Sequence, residues 1–336
     1  MDIRYFIGVD VSKSTLDWAV FDGNAILLQL QSPNSAAGIK QALRTVGNLA
    51  GFTPQASIVC LEHTGIYNAL LLAELATAAC PTWLESSLQI KQAGGLQRGK
   101  SDRVDAQRIA EYAFRFRYRT RLWEPPRQLL QDLASLSALR QRLLLVRSQL
   151  EQPINEQAGF VDPKRQKQLV KNCRASLDGI NADLSSVNRQ IEQLVEGDEG
   201  LNELFALVTS VTGIGLATAT EIILATDEFK AISDPKKLAC HAGVAPFEYR
   251  SGTSVRGKTR VSRHARKRLK SLLHMAAMSA IRSKGDLQDY YLRKVAQGKN
   301  RMLVLNAVRN KLVHRICAVV RRGEKYEKKH TPSLVL

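Results

Sequence analysis

A chain of 336 residues exceeds one ordinary domain, so two or three units are expected, each burying its own core. Lys and Arg outnumber Asp and Glu by 49 to 31, a formal charge of +18, and residues 251–330 alone hold 22 basic against 4 acidic side chains. That concentration of positive charge points to a polyanion as partner, and a membrane is disfavoured because no run of about 18 apolar residues occurs.

The start, Met1-Asp2-Ile3-Arg4, does not read as a secretory leader, so a cytoplasmic, nucleoid-associated protein of a bacterium or archaeon is expected. Three β-like runs open the chain, around Tyr5–Val9, Leu16–Phe21 and Ala25–Leu30, separated by polar or Gly-bearing turns, which predicts a three-stranded meander. A helix near Ala36–Leu49, a strand at Ser57–Leu61, a helix at Tyr67–Ala78, a strand near Trp83 and a helix over Asp102–Phe116 follow. Strands mixed with helices argue for an α/β domain over residues 1–124, closed by Pro125-Pro126.

Residues 125–200 read as two long helices. Leu129, Leu133, Leu136, Leu143 and Leu150 recur at helical spacing, a break is expected over Pro153–Pro163, and Ile180, Leu184, Val187, Ile191 and Leu194 then step 4, 3, 4, 3 like a coiled-coil seam. Residues 201–336 read as mostly helical, over Leu201–Val208, Leu216–Ala225, Ala265–Ser283 and Leu303–Val320, with a Gly/Pro-punctuated segment at 239–260. Cys60, Cys80, Cys173, Cys240 and Cys317 lack the paired spacing of zinc sites and read as reduced, mostly buried thiols.

Ile7-Gly8-Val9-Asp10 places a carboxylate at the end of an apolar strand, beside a Gly that permits close approach. A second strand ends in Glu62, and Asp102 and Asp105 share one face of a later helix. Four such carboxylates suit two Mg²⁺ ions about 4 Å apart, the arrangement used for phosphodiester exchange. Singly, each has a duller role: Asp10 in a turn, Glu62 on the surface, Asp102 and Asp105 complementing a helix dipole. His63, beside Glu62, reads as structural.

Val211-Thr212-Gly213-Ile214-Gly215-Leu216 is a tight Gly turn opening a helix, either a helix-hairpin-helix-like phosphate contact through Gly213 and Gly215 or an ordinary interhelical turn. Farther on, Ser251, Gly252 and Ser254 sit in a Gly-flanked loop beside Arg256, Lys258, Arg260, Arg263, Arg266, Lys267, Arg268 and Lys270, with no acid among them. That run suits phosphate contact, with a solvated face as the alternative. On the residues alone, Ser251 reads first as a turn serine or phosphate ligand, since a serine oxygen needs activation to act as a nucleophile.

The order and context of Asp10, Glu62, Asp102 and Asp105, within Glu62-His63-Thr64-Gly65-Ile66-Tyr67 and Lys100-Ser101-Asp102-Arg103-Val104-Asp105-Ala106, resemble the RuvC-like DEDD domain of insertion-sequence-110-type transposases. That group includes pilin-gene invertases. The pattern Pro246…Tyr249-x-Ser251-Gly252-x-Ser254-Val255-Arg256-Gly257 resembles the second characteristic domain of the same enzymes. The resemblance implies a RuvC/RNase H-like N-terminal fold and DNA cutting and rejoining through Ser251, with a phosphoserine link and Mg²⁺ on the DEDD cluster. It further implies double-stranded donor and target DNA, a dimer-of-dimers synapse and a structured bridge RNA. Two other readings compete: a metal-dependent nuclease that only hydrolyses, and a noncatalytic nucleic-acid scaffold.

Overall fold

In the computed structural model, residues 3–95, 101–251, 255–261 and 265–327 are described, with 248–251 and 255–260 described by their backbone alone. The strand β1, Tyr5–Val11, is almost wholly buried, as a central strand covered on both faces should be. It pairs antiparallel with β2, Thr15–Phe21, which pairs antiparallel with β3, Ile26–Pro33, giving the expected meander. After α1, Ala36–Gly47, the chain returns as β4, Ser57–Glu62, parallel to β1. It then passes through a 3₁₀ turn and α2, Ala69–Thr77, into β5, Thr82–Glu85, parallel to β4. The sheet order is β3-β2-β1-β4-β5. A short helix α3, Ser87–Ala93, absent from the sequence reading, precedes α4, Asp102–Arg115.

The alternation of strand residues decides which helices cover which face. Ile7, Val9, Val59 and Leu61 pack with Ile39, Val46, Leu71 and Leu75 of α1 and α2. Phe6, Ile58, Cys60 and Trp83 pack on the other face with Ile90, Ile109, Tyr112 and Ala113. The second face is crossed unusually closely. A Cβ on Gly8 would lie 2.1 Å from the Ala106 carbonyl oxygen and 2.3 Å from the Ala110 nitrogen. Ala19, Ala106 and Ala110 complete this small-residue contact, so α4 rests directly on the backbone of β1 and β2. These elements form one unit, Met1–Pro125.

The other unit, Pro126–Leu336, is largely helical. Its first helix α5, Gln128–Gln157, runs past Pro153 where the sequence predicts a break. Proline removes one N–H and crowds the preceding turn, and a helix survives this only as a local distortion. Here the chain keeps one further turn, and the Gln166 side-chain amide donates to the Ile154 carbonyl at 2.5 Å. The second long helix α6, Pro163–Glu196, lies antiparallel on α5, since Arg140 donates to Asn188 and Arg147 to Asn181. Its buried residues are Leu184, Val187, Ile191 and Val195, so the last step of the seam falls on Val195 and Leu194 is only partly buried.

The remaining helices are α7, Glu199–Ser210; α8, Leu216–Thr226; and α9, Pro235–His241. A two-stranded antiparallel hairpin follows, β6, Pro246–Ser251, and β7, Val255–Val261, where the sequence shows only a punctuated segment. Then come α10, Lys267–Arg282; α11, Asp286–Ala296; and α12, Arg301–Arg322, whose Leu305, Val308, Leu312 and Ile316 anchor the core of this unit. Among the described residues, no helix is long and apolar enough to cross a membrane.

Replacing Gly8 by Ala forces backbone apart from backbone, so Gly8→Ala should lower unfolding free energy by about 2–3 kcal/mol. Gly179→Ala, on α6 with nothing within 4 Å of its added Cβ, should raise it by about 0.5–1 kcal/mol. Urea unfolding checks both, and equal stability of the Gly8 variant and the parent would refute the close contact.

Candidate active site

The parallel register of β1 and β4 sets Val9 opposite Leu61, so Asp10 and Glu62 follow side by side at one edge of the sheet. Both lie on the face that carries Gly8 and Cys60, the face covered by α4. Ser101 caps α4, its Oγ accepting from the Val104 N–H at 3.3 Å, and Asp102 and Asp105 occupy the first turn. Because α4 lies directly on Gly8, that first turn arrives above Asp10. The consequence is electrostatic. The Asp10 carboxyl is pushed up to about 6, first by burial, then by the negative charges of Asp102, Asp105, Glu62 and Asp17.

The four sequence-predicted acids therefore share one locality and repel one another. Asp105 is turned to Arg108, at 2.8 Å. Among the described residues, no three His, Cys, Asp or Glu side chains are arranged to hold a metal ion. The donor chemistry nonetheless fits a hard divalent cation: the cluster is all carboxylate oxygen, and its charge is uncompensated at Asp10. The positive end of the α4 dipole also favours Asp102 and Asp105, so their structural role and a ligand role coexist.

Three neighbours escape the sequence reading. Asp17 stands opposite Asp10 in the β1–β2 register and is 7% exposed, with both carboxylate oxygens accepting from the Gln31 amide at 3.1 and 3.2 Å. The mirror placement of residues 10 and 17 about the Ser12–Thr15 turn is the signal that could have revealed it. Glu85 stands opposite Glu62, but its carboxylate accepts from the Tyr112 hydroxyl at 3.2 Å and from the Ser86 N–H at 2.7 Å. The Cys60 thiol, buried beneath Glu62, is pushed up by burial and by the charges of Glu85 and Glu62. A cleft of about 500 Å³ adjoins the acids, lined by Asp17, Gln29, Gln31, Ser101, Asp102 and Arg103.

In the helical unit, Ser251 ends β6 and pairs with Val255 across the hairpin. Gly252, Ser254 and Arg263 lie outside the described residues. Arg256, Lys258 and Arg260 belong to β7. Two residues assigned from sequence to a phosphate-facing surface are directed elsewhere. Arg266 and Arg268 approach the carboxylate of Glu221, 1% exposed, at 2.9 and 3.1 Å. Arg268 also donates to the Ser137 carbonyl and hydroxyl at 2.8 and 2.6 Å. A buried carboxylate without such partners is prohibitively costly, which explains the inward turn. Lys267 remains exposed and Lys270 partly so. Gly213, at φ +94°, is required by packing: its Cβ would meet the Ala276 carbonyl oxygen at 2.5 Å. Gly215 has open space around its Cβ and precedes the uncapped first turn of α8.

An acid-edged α/β sheet joined to a basic helical unit is the arrangement expected of a protein that handles a polyanion. Residues 7–157 match a DEDD transposase family of the IS110 group, and residues 205–292 match the transposase IS116/IS110/IS902 family. The chain belongs to the IS110-type transposase/recombinase family. It is 23% identical to a pilin gene-inverting protein of Moraxella bovis over 97% of this chain and 98% of that one. A pilin gene-inverting protein of Moraxella lacunata is 24% identical over 69% of each chain. An IS110 insertion-element protein of Streptomyces coelicolor, described as uncharacterized, is 26% identical over 47% of this chain and 38% of its own. Family membership brings DNA as substrate and divalent-metal dependence.

A group whose folded pKa lies above its unfolded value binds more protons when folded, so its effect on stability worsens as pH rises through that window. For Asp10 the window runs from the ordinary aspartate value to about 6. Linkage bounds the effect at about 3 kcal/mol, and solvent screening at this half-buried site reduces it to about 1–2 kcal/mol. Asp10→Asn should therefore stabilise the metal-free protein by that amount near pH 7.5, a gain that shrinks toward pH 4. Urea denaturation in chelator reads it, and a destabilised variant at neutral pH would contradict the shared repulsion. Arg268→Ala, by exposing Glu221 to an incomplete pairing, should cost about 3 kcal/mol while leaving the salt dependence of DNA binding unchanged; Lys267→Glu should flatten that dependence instead.

Proposed function

We propose that this protein cuts and rejoins DNA strands through Ser251, assisted by Mg²⁺, two ions per site, on Asp10, Glu62, Asp102 and Asp105. The observation that supports this most is the pressure on Asp10 from three carboxylates that lie far away in sequence, inside the span matching the DEDD family. Residues 1–124 form the RuvC-like catalytic domain, 125–200 a coiled-coil oligomerisation segment, and 201–336 the serine domain, with α7 and α8 as a helix-hairpin-helix-like element.

In this reading the Ser251 oxygen attacks the scissile phosphorus. A phosphoserine bond forms as the bond to a deoxyribose oxygen breaks, and the proton leaves the serine for that oxygen. The broken strand's energy is kept in the phosphoserine, so a second deoxyribose hydroxyl can reverse the step on a new partner without external energy. The divalent ions, when bound, supply Lewis-acid charge for the non-bridging and leaving oxygens. Gly215, Arg256, Lys258, Arg260, Lys267 and Lys270 hold phosphates and give affinity without sequence choice. Sequence choice comes from a structured bridge RNA, and the complex works as a dimer of dimers. Inversion of a DNA segment uses the same strand chemistry, and the relative aligned over nearly the whole chain is named for inverting a pilin gene.

Ser251→Ala should abolish a covalent protein–DNA adduct seen on denaturing gels. Asp10→Asn, Glu62→Gln, Asp102→Asn and Asp105→Asn should each lower strand transfer by about 10²-fold or more, and Asp10→Asn should weaken Mn²⁺ binding measured by titration. Strand cleavage with no adduct would assign the protein to the hydrolytic nucleases, and undiminished transfer in any two of the carboxylate variants would remove the metal cluster.

A further inference from the structure

Beyond Glu62 the chain runs through His63 and Thr64 into the 3₁₀ turn Gly65–Asn68 and then α2. Three large apolar side chains stand out here: Ile66 is 83% exposed, Tyr67 40% and Leu70 49%. Isolated apolar residues at a surface are ordinary, whereas neighbours on one turn call for an explanation. Folding does not supply it, because α2 already buries Leu71, Leu72 and Leu75 against the sheet.

The turn is fixed to the two strand ends that carry Asp10 and Glu62. Asn68, 2% exposed, donates from Nδ2 to the Glu62 carbonyl at 2.7 Å, and its Oδ1 accepts from Thr64 Oγ1. Asn34 donates from Nδ2 to the Ser12 carbonyl at 2.9 Å and to the Tyr67 carbonyl at 3.0 Å, while its own N–H bonds the Ser14 carbonyl. The His63 N–H bonds the Glu85 carbonyl at 2.9 Å. Two asparagines thus clamp an exposed apolar turn onto the chain segments leaving both catalytic strands.

We propose that Ile66, Tyr67 and Leu70 form a wedge that presses on nucleobases next to the phosphodiester being cut, opening the base stack there. Apolar side chains inserted at base steps, and aromatic rings laid on bases, are established ways for a protein to hold distorted or unpaired DNA. A second copy of this chain is the other conceivable occupant. Three side chains offer far less than the roughly 800 Å² per partner of a stable interface. The inference rests on the reading that Asp10 and Glu62 face DNA.

The test compares two duplexes of about 30 base pairs, one perfect and one with a central mismatch bubble of about three nucleotides, by fluorescence polarisation with Mg²⁺ present. The full chain should bind the bubble about tenfold more tightly. Ile66→Ser with Leu70→Ser should erase that preference and leave affinity for the perfect duplex unchanged; both positions are exposed, so the fold is not at stake. The inference is overturned if the parent shows no preference, if the variant keeps it, or if the variant instead changes the sedimentation coefficient, which would make the patch a subunit contact. Failure of the metal reading would appear separately, in Mn²⁺ titrations of Asp10→Asn, so the two ideas can fall independently.

Discussion

Everything in the N-terminal unit turns on how near a helix can come to a sheet. Helices usually stand off a sheet by the length of the side chains between them; across Gly8, Ala19, Ala106 and Ala110 there is almost no side chain to intervene. The first turn of α4 is thereby brought down to the level of the strand ends. Two aspartates that would otherwise only complement the helix dipole then share a field with Asp10 and Glu62. The mutual repulsion that results is a local cost, and such costs persist where a site needs charge held ready for a partner. Packing of the most ordinary kind, small residue against small residue, is therefore the origin of the electrostatics.

In the helical unit a buried charge does the organising. Glu221 draws Arg266 and Arg268 inward at the point where the chain leaves the β6–β7 hairpin and enters α10. Part of the conspicuous basic run is thus internal wiring, whereas Lys267 stays exposed and Lys270 partly so. Gly213 tells a similar story, since the packing of α10 against the turn accounts for its backbone without any ligand.

The parts legible in the sequence were those governed by local rules. Alternation and turn residues mark β1, β2 and β3, and a carboxylate closing an apolar run marks Asp10 and Glu62. What escaped depends on partners distant in the chain. Asp17 joins the acids only once the β1–β2 register is known, and Gly8 announces a close approach without saying that α4 is what approaches. The β6–β7 hairpin is too polar and too interrupted by Gly to show a strand rhythm. Charge runs mislead for the same reason: nothing adjacent to Arg266 and Arg268 announces that a carboxylate about 45 residues earlier will claim them. Pro153 failed as a stop because a helix braced by α6 tolerates a proline that an isolated one would not.

Cys60 lies one strand pleat below Glu62 on β4, beneath the acidic cluster. Were that sulfur readily ionised, it would offer a soft donor and invite thiophilic ions such as zinc or copper, which outcompete lighter cations at sulfur. Burial and the surrounding negative charge keep the thiol protonated instead. The floor beneath the acids therefore offers no thiolate. Were a cation to settle among these carboxylates, hardness and abundance would choose it, since sulfur takes no part.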